Sequence, residues 1–514
     1  MPATAPIDLT GVDGPRVGLR GWAALAVLML PVLLVSVDNT VLAFALPEIS
    51  VSLQPSGAEQ LWIIDVYSLV LAGLLVTMGV LGDRFGRRRM LLIGATGFAA
   101  VSALAAFAPS AGLLIAARAA LGVFGAMLMP STLSLLRSIF RNRDQRRLAI
   151  AVWASAFSAG SALGPVVGGF LLEHFGWGSV FLIAVPVLVP LLIGGLWLLP
   201  ESSDPNPGRI DPIGIVLSMA AMIPVVFAIK SFAVDGPNLA AAVFLLVGVF
   251  AGFLFVRRMR RAENPMLDMS LFRRGGFSGA ILVNLLSVIA LVGFLYFVSQ
   301  QLQLVIGLSP MVAGLALVPG MAAMIIAGLG VVPVSRRVAP HIVVPVGLSL
   351  SALGYLIVAA TAGLNSVGWL LVAFVVLGIG IGAAETISNE LILAHAPAEK
   401  AGAASAVSET AYELGAVLGT AVLGGIITAF YRGALVIPGG VPSELAAHAR
   451  ETLAGAYTAA QELPGRLGEA LWDAATAAFG SGVVTTSIIG ALLVIGAIVV
   501  ALTTLKPSRN GSAG

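Results

Sequence analysis

Apolar segments of about 20 residues recur along this chain between residues 22 and 505. That length matches what a helix needs to cross a hydrocarbon core of ~30 Å. Of the 514 residues, 58% are hydrophobic and only 10% are charged, whereas a typical soluble domain carries roughly 25% charged residues. The sequence therefore predicts an all-α membrane protein that crosses the bilayer many times.

Charged residues, prolines and glycines divide these segments into fourteen predicted spans. Most of the 28 Lys and Arg residues fall in the tails and even-numbered loops, so the positive-inside rule places both termini in the cytoplasm. Arg16 and Arg20 precede the first span without a clear small-residue cleavage site, so we expect a retained helix rather than a signal peptide. The predicted spans cover residues 22–47, 61–81, 90–108, 111–135, 148–172, 178–199, 212–231, 239–256, 277–301, 311–333, 341–361, 367–393, 402–430 and 481–505.

The spans are expected to form two six-helix bundles around a central cavity, a common transporter plan. The seventh and eighth spans hold no acidic residue in their apolar cores and only Lys230 at an end, so we interpret them as a peripheral pair between the bundles. Two amphipathic patterns separated by Pro464 and Gly465 predict an extracellular helical hairpin at 431–480. The predicted organisation is a cytoplasmic tail at 1–20, a bundle at 21–200, linker helices at 201–262, a bundle at 263–505 and a cytoplasmic tail at 506–514.

Charged residues inside the predicted spans mark a candidate site. An aspartate at the centre of a membrane helix costs ~2.5–3.5 kcal/mol on insertion scales, so several charges on different spans imply a shared aqueous cavity. Carboxylates in such a cavity suit proton coupling, because a bound organic cation favours the ionised form and displaces the proton. The seven intramembrane charges are Asp38, Asp65, Arg118, Glu385, Glu390, Glu409 and Glu413.

Structural explanations compete with function at several of these positions. Asp65 could be a solvated carboxylate near the outer end of its span, and Glu390 an interfacial one. Arg118 could form a buried structural ion pair, with Asp38 or another acid, instead of serving proton coupling. Glu409 and Glu413 are four residues apart and share a helix face, where two ionised carboxylates would repel each other. Aromatic rings that could face an organic cation, or only pack or anchor at interfaces, are Trp62, Tyr67, Phe294, Tyr296 and Phe297.

Three further stretches carry patterned glycines or basic residues. GVLGDRFGRRRML at 79–91 spaces its glycines, aspartate and arginines too specifically for charge alone, whereas RSIFRNRDQRR at 137–147 is explained by topogenic positive charge. GSALGPVVGG at 160–169 concentrates glycines that each cost a helix ~1 kcal/mol relative to alanine. Small residues at this spacing let neighbouring helices approach closely, and Pro165 bends the helix. Tight helix packing alone would explain much of this run.

With these motifs on nearly the whole chain, the sequence resembles the major facilitator superfamily, specifically its drug/proton antiporters with about fourteen helices. DNTVLAFALP from Asp38, GVLGDRFGRRR from Gly79, RAALGVFGA around Arg118 and GSALGPVVGG from Gly160 resemble four motifs of that group. LWIIDVYSLVLAG from Leu61 and ASAVSETAYELG from Ala404 are similar to its drug-exporting members. The resemblance implies a major facilitator fold of two six-helix bundles plus two additional helices.

The resemblance also implies function. It suggests proton-driven export of lipophilic cations such as ethidium, acriflavine and quaternary ammonium compounds, with fluoroquinolones as a further candidate class. The expected proton-coupling residues are Asp38, Arg118, Glu409 and Glu413, and the expected substrate-binding residues are Asp65, Trp62, Tyr67, Glu409, Glu413 and Glu385. A conformational motif that helps hold the cytoplasmic side closed between the halves comprises Gly79, Gly82, Asp83, Arg84, Gly86, Arg87 and Arg88. An antiporter motif comprises Gly160, Gly164, Pro165, Gly168 and Gly169.

The sequence departs from the family pattern at three positions. Met324 stands where the pattern carries an aspartate linked to divalent cations, which implies poor export of dications. Ser408 replaces another acid, and Glu385 has no counterpart.

Other functions remain to be weighed against multidrug antiport. A proton-coupled transporter of an endogenous metabolite or lipid, an importer by proton symport, and a non-transport membrane sensor or enzyme are the alternatives. The glycine and proline run favours export, and the absence of a P-loop argues against an ATP-driven pump. No cysteine is present, which excludes disulfides and thiolate metal sites. We expect no enzymatic activity, cofactor, metal or nucleic acid, and a monomer in the bacterial inner membrane whose partners are protons, organic cations and lipid.

Overall fold

A computed structural model of the chain describes residues 16–203, 211–262, 269–335, 337–364, 366–394 and 401–505. Within these ranges the regular structure is entirely helical, and 13 helices are long and apolar enough to cross a membrane. The predicted all-α, multi-pass architecture is therefore confirmed, without fixing the number of crossings at fourteen. The predicted fifth span falls in a helix whose side chains are described only in part, and the tails at 1–15 and 506–514 lie outside the described residues.

The first half of the chain forms seven helices, followed by an additional pair. Their bounds are α1 Leu19–Leu53, α2 Gly57–Phe85, α3 Arg87–Ala105, α4 Ala111–Ile139, α5 Arg143–Phe175, α6 Ser179–Leu182, α7 Ala184–Leu198, α8 Pro212–Asp235 and α9 Leu239–Arg261.

The second half contains the remaining helices. They are α10 Gly275–Gln300, α11 Pro310–Ser335, α12 Pro340–Thr361, α13 Val367–Ala394, α14 Ala401–Leu418, α15 Gly425–Ala434, α16 Ser443–Glu451, α17 Leu453–Glu462 and α18 Gly465–Thr504. Short π-helical segments, Gln301–Val305 and Gly419–Gly424, extend α10 and join α14 to α15.

Local chemistry explains where several helices begin and turn. Ser56 and Glu59 form a capping box at the start of α2, which satisfies backbone N–H groups that have no partner in the first helical turn. A single residue, Gly86, separates α2 from α3 and has a φ of 106°, a left-handed conformation that glycine adopts without strain. A Cβ atom there would also lie 2.6 Å from the carboxylate of Glu201. The arginine-rich motif at 79–89 is therefore a tight helix-to-helix turn.

The helices pack as two groups that meet along two seams. In the first group α1 packs on α5 and α7, while α4 packs on α2 and α3. In the second group α13 packs on α10, α11 and α12, and α18 packs on α10 and α12. The two main seams between the groups are α5 against α11 and α2 against α14, and α1 makes a smaller contact with α10.

Helices α8 and α9 form an antiparallel pair that is less peripheral than predicted. Asp211 caps α8 and forms a 2.7 Å ion pair with Arg258 on α9. The hydrogen bond from Arg258 holds the pKa of Asp211 below its usual range. Much of α9 is exposed, but α8 packs on α2, on the Gly419–Gly424 segment and on α15. The pair therefore touches both halves at the α2–α14 seam.

The segment predicted as a two-armed hairpin has a different arrangement. Its first arm is two short helices, α16 and α17, because the Thr452 side chain caps α17 by accepting a hydrogen bond from the Gly455 N–H. Its second arm does not end near residue 480, because no proline interrupts the chain there and α18 continues unbroken into the last span. We call the end of the bundle that carries α16 and α17 the cap side, and the opposite end the tail side.

Candidate functional site

Asp38 and Arg118 form an ion pair inside the first half. Arg118 Nη1 donates to Asp38 Oδ2 at 2.6 Å, and their side chains are only 1% and 9% exposed, in that order. Arg118 also donates to the backbone carbonyls of Ile63 at 3.2 Å and Ile64 at 3.4 Å. Its guanidinium carbon lies 4.5 Å from the centre of the buried Tyr67 ring. One arginine on α4 therefore connects α1 and α2, with its charge balanced by Asp38.

A glycine brings Arg118 within reach of α2. Gly122 lies one turn further along α4, and a Cβ atom there would be 2.7 Å from the carbonyl oxygen of Tyr67. Because α4 and α2 approach this closely, the guanidinium reaches two α2 carbonyls as well as Asp38. The RAALG pattern therefore supplies both the charge and the close approach that positions it.

Asn39 and Glu413 connect the two halves next to this ion pair. Asn39 Nδ2 donates to Glu413 Oε1 at 3.3 Å, and Glu413 is 3% exposed. Ser68 on α2 also interacts with the Glu413 carboxylate. Since Asp38 and Asn39 are consecutive, α1 presents one side chain to Arg118 and the next to a carboxylate of the second half. The two charged groups are thus linked by adjacent positions of one helix.

Asp65 is paired with a lysine from α8. Lys230 Nζ lies 2.9 Å from Asp65 Oδ2, the side chains are 2% and 1% exposed, and Nζ is 3.9 Å from the centre of the Trp62 ring. The alternative that Asp65 is a solvated carboxylate is therefore wrong. Sequence reasoning missed Lys230 as its partner. The sequence does contain a signal for this pairing, namely a lysine within an apolar segment. Lys230 is placed at the end of its span in the sequence analysis and is therefore assigned no partner there.

The other acids of the second half are less enclosed. Glu385 on α13 is partly buried, and its Oε1 has no hydrogen-bond partner among the described residues. Glu409 is also partly buried and interacts electrostatically with Glu413 one turn away. Glu390 is exposed towards the tail-side end of α13, as its interfacial alternative requires. Glu409 and Glu413 lie on the helix that meets α2, whereas Glu385 is on a separate helix.

A neutral polar cluster that sequence reasoning overlooked lies nearby. Ser408 Oγ donates to Asn389 Oδ1 at 2.7 Å, and Asn284 Nδ2 donates to the same oxygen at 3.2 Å. These side chains come from α14, α13 and α10. Asparagine and serine give no hydropathy signal as strong as a charge, so their convergence becomes visible only in the fold.

The arginines of the motif at 79–89 contact the end of the first half. Asp83 pairs with Arg87 at 2.7 Å, and Arg87 Nη1 donates to Ser202 Oγ at 3.2 Å. The backbone N–H of Arg88 donates to Glu201 Oε1 at 3.1 Å. Glu201 and Ser202 follow α7, so these contacts join α2 and α3 to the segment leaving the first half. They do not display the predicted contact between halves. A Cβ atom at Gly79 or Gly82 would meet Pro130 or Ser131 of α4 at an ordinary van der Waals distance. Arg84 lies 5.9 Å from the centre of the Phe85 ring.

The glycine run on α5 faces two helices. A Cβ atom at Gly160 or Gly164 would collide with Ser36 or Thr40 of α1, and one at Gly168 would lie 2.6 Å from Val41. A Cβ atom at Gly169 would lie 2.5 Å from the Pro310 carbonyl oxygen of α11. On the other side of this seam, Gly314 of α11 packs directly on the Pro165 carbonyl of α5, and a Cβ atom at Gly314 would have no space. The motif therefore allows α5 to contact α1 along one face and α11 across the seam.

Further polar contacts join the halves on the cap side. Gln303 Nε2 donates to the Phe44 carbonyl at 3.0 Å, and Ser309 Oγ donates to Glu173 Oε2 at 2.9 Å. The Gly57 N–H and Arg432 contact the two carboxylate oxygens of Glu451 on α16 at 3.5 Å and 3.3 Å, respectively. The halves are therefore tightly connected at the end that carries the short helices.

Comparison with known proteins gives the same picture of the fold. The sequence model of one protein family, the Major Facilitator Superfamily, matches residues 28–420 of this chain. The chain also resembles a solved bacterial homolog of the human lysosomal transporter Spinster, in an inward-facing and unoccupied conformation. The TM-score is 0.67 at 18% identity, over 96% of this chain and 100% of that one. At that identity the likeness shows the fold alone.

Relatives with higher identity are named as efflux or resistance proteins. The multidrug efflux pump LfrA of Mycolicibacterium smegmatis is 57% identical over 482 residues, covering 94% of this chain and 96% of LfrA. The methyl viologen resistance protein SmvA of Salmonella typhimurium is 36% identical over 96% of this chain and 100% of its own length. The tetracenomycin C resistance and export protein of Streptomyces glaucescens is 34% identical over 96% of this chain and 93% of its own length.

Proposed function

This chain belongs to the Major Facilitator Superfamily, and we propose that it is a proton-driven multidrug antiporter that exports lipophilic organic cations. Its relatives indicate a multidrug efflux transporter, in a superfamily of transporters rather than enzymes. Within the proposal it acts as a monomer with fourteen crossings and both termini cytoplasmic, in the bacterial inner membrane. Ethidium, acriflavine and quaternary ammonium compounds are the proposed substrates, with fluoroquinolones as a further class.

The observation that carries this proposal is the buried Asp38–Arg118 pair beside the Asn39–Glu413 contact between halves. A proton on Asp38 would remove the charge that balances Arg118 and weaken their hydrogen bond, which is stronger when both partners are charged. Arg118 also holds two carbonyls of α2, the helix that meets α14 at a seam. Protonation of Asp38 would therefore change how α1 and α2 pack against each other at the place where they contact the second half.

Glu413 and its neighbour Glu409 are the proposed anionic groups for the organic cation. Both lie on α14, and Glu413 contacts α1 through Asn39 and α2 through Ser68. A cation that binds there favours ionised carboxylates and therefore competes with protons. Each pH unit of gradient supplies ~1.4 kcal/mol per proton, and ~100 mV adds ~2.3 kcal/mol per net charge moved. One or two protons would support outward transport against a substantial gradient.

The described conformation is proposed to be the inward-facing state of this cycle. The contacts of Gly169 and Gly314 across the α5–α11 seam, and the bond from Gln303 to Phe44, close the cap side. Outward opening would break these contacts. The motif at 79–89, which now contacts Glu201 and Ser202, is proposed to contact the second half when the tail side closes.

The direct test is transport by the purified protein in proteoliposomes with an imposed proton gradient. We expect the gradient to drive ethidium transport, and expect that transport to stop when an uncoupler collapses the gradient. Protein-free liposomes measure the passive leakage of ethidium. Proteoliposomes with the proton gradient reversed show whether the direction of ethidium transport follows the gradient. Ethidium transport that continues undiminished after the collapse would contradict proton-driven antiport.

Replacing Glu413 with glutamine is expected to weaken ethidium binding by about tenfold, because the cation loses a buried carboxylate partner. A charged hydrogen-bond partner contributes roughly 1.5–3 kcal/mol, and tenfold corresponds to about 1.4 kcal/mol. Binding is measured by ethidium fluorescence with the purified protein. Glu390→Gln is the matched control, since Glu390 is exposed and should leave the affinity within about twofold. Equal affinities of the Glu413→Gln variant and the wild type would exclude Glu413 as the cation's partner.

A further inference from the structure

Lys230 reaches the kind of site that an organic cation would use. Its ammonium lies 2.9 Å from the Asp65 carboxylate and 3.9 Å from the centre of the Trp62 ring. A carboxylate and an aromatic face together form the usual recognition pair for a cation in a dehydrated site. Here the cation belongs to the chain itself and comes from α8.

Apolar residues close this pair off from water. Leu69 of α2, Val226 of α8, and Val417 and Ala421 of the second half form one buried cluster, against which Trp62 also packs. Lys230 and Asp65 are themselves almost completely buried. A buried charge is costly unless it is paired, so the contact between the two groups offsets the cost of burying each of them. The pair contributes no net charge to its surroundings.

Asp65 shares a face of α2 with Ser68, a residue that contacts the carboxylate proposed to bind the substrate. Asp65 and Ser68 are three residues apart on α2 and share a helix face. Ser68 interacts with Glu413, so Asp65 is about one helical turn, ~5 Å along α2, from the residue that contacts Glu413. A carboxylate on α2 and another on α14, on the two sides of one seam, would suit a substrate with two positive charges. Lys230 neutralises one of them.

We propose that Lys230 is a specificity-determining residue that disfavours a second positive charge on the substrate at the α2–α14 seam, by occupying Asp65 and Trp62. This inference rests on the proposed export of organic cations. With Lys230 in place, a monocation meets Glu413 and an already neutral Asp65–Lys230 pair. When a dication places one charge at Glu413, a second charge that reaches the Asp65 side of the seam would lie next to the Lys230 ammonium and be repelled by it. In this proposal α8, one of the two additional helices, acts on substrate charge.

The test compares two fluorescence-detected affinities of the purified full-length protein. Ethidium serves as the monocation, and methyl viologen, measured by its displacement of ethidium, serves as the dication. The Lys230→Met variant replaces the ammonium group with an uncharged side chain of similar length. In this variant the ratio of the methyl viologen Kd to the ethidium Kd should fall at least tenfold. Methyl viologen binding should also release more protons than in the wild type, because the dication would expel any proton that the unpaired Asp65 has taken up.

Two further variants separate charge from structure. Lys230→Arg keeps the positive charge and should hold the Kd ratio within about threefold of the wild type. The double variant Asp65→Asn/Lys230→Met removes both charges and should return the ratio to the wild-type value. The double variant also keeps the proposal testable if Lys230→Met alone does not fold, since it leaves no unpaired buried charge. A wild-type ratio in folded Lys230→Met, or a large change in the double variant, would overturn the proposal.

These outcomes are separate from those of the transport assay. Equilibrium binding needs no proton gradient, so the charge preference can be measured whether or not the gradient drives transport. A wild type that binds ethidium but does not transport it would contradict antiport and leave the Lys230 result interpretable. Gradient-driven transport combined with an unchanged Kd ratio in Lys230→Met would contradict only the role of Lys230.

Discussion

Replacing Asp38 with asparagine is expected to reduce proton-coupled ethidium efflux to less than one-tenth of the wild-type rate. Asparagine has nearly the same shape as aspartate but cannot take up and release a proton at this position. It also leaves the buried Arg118 without the carboxylate that lies 2.6 Å from its Nη1. The measurement is ethidium transport in proteoliposomes, together with the proton movement that ethidium addition drives. Drug-driven proton movement at the wild-type level in this variant would remove Asp38 from the coupling mechanism.

The same substitution should lower stability, which requires its own control. Removing one partner of a buried ion pair costs roughly 3–5 kcal/mol, because the remaining charge is uncompensated. The double variant Asp38→Asn/Arg118→Met should therefore recover thermal stability without recovering coupled transport. Asp211→Asn is the matched control, because Asp211 also pairs with an arginine but caps the start of α8, and its arginine partner is 39% exposed. It should keep most of the transport activity.

The positions of Asp38 and Arg118 show what the sequence could predict. A charged residue inside an apolar span can be recognised from the sequence alone. Its insertion into the membrane is costly, so its presence there indicates a specific role. The partner of each charge cannot be fixed from the sequence alone, because it depends on which faces of α1, α4 and α8 meet. In the sequence Asp38 is one of several acids that could pair with Arg118, and only the helix packing selects it and directs Asn39 to Glu413.

Lys230 and Gly314 show what the sequence could not predict. Lys230 resembles a residue that extends from a helix end towards water, and only the packing of α8 on α2 reveals that it is buried. Gly314 is one glycine among 60 in the chain, and its importance depends on the carbonyl of Pro165 on another helix. The helical breaks were predictable where proline and glycine coincide, as at Pro464 and Gly465, but the unbroken run of α18 beyond residue 480 was not.

Replacing Gly314 with valine is expected to abolish most transport by preventing closure of the cap side. A Cβ atom at this position collides with the Pro165 carbonyl oxygen, a backbone atom that cannot rotate away as a side chain can. Overpacking of this kind costs typically 1–3 kcal/mol, and every 1.4 kcal/mol changes a two-state population by about tenfold. Because the collision exists only while α5 and α11 are in contact, the substitution penalises one state of the cycle selectively. We expect transport below one-tenth of the wild-type rate with little loss of folded protein.

Gly330→Val provides the control on the same helix, since a Cβ atom at Gly330 would meet no heavy atom within 4 Å. It introduces the same side chain into α11 without touching α5, so its transport should remain near the wild-type rate. The conformational effect can be measured directly with spin labels on cysteines introduced at Phe175 and Val312, because the chain has no cysteine of its own. Both positions are exposed, at the cap-side ends of α5 and α11. Gly314→Val should shift their distance distribution towards longer separations, and Gly330→Val should not. Equal distances and equal transport in the two variants would mean that the α5–α11 contact is packing alone and does not take part in alternating access.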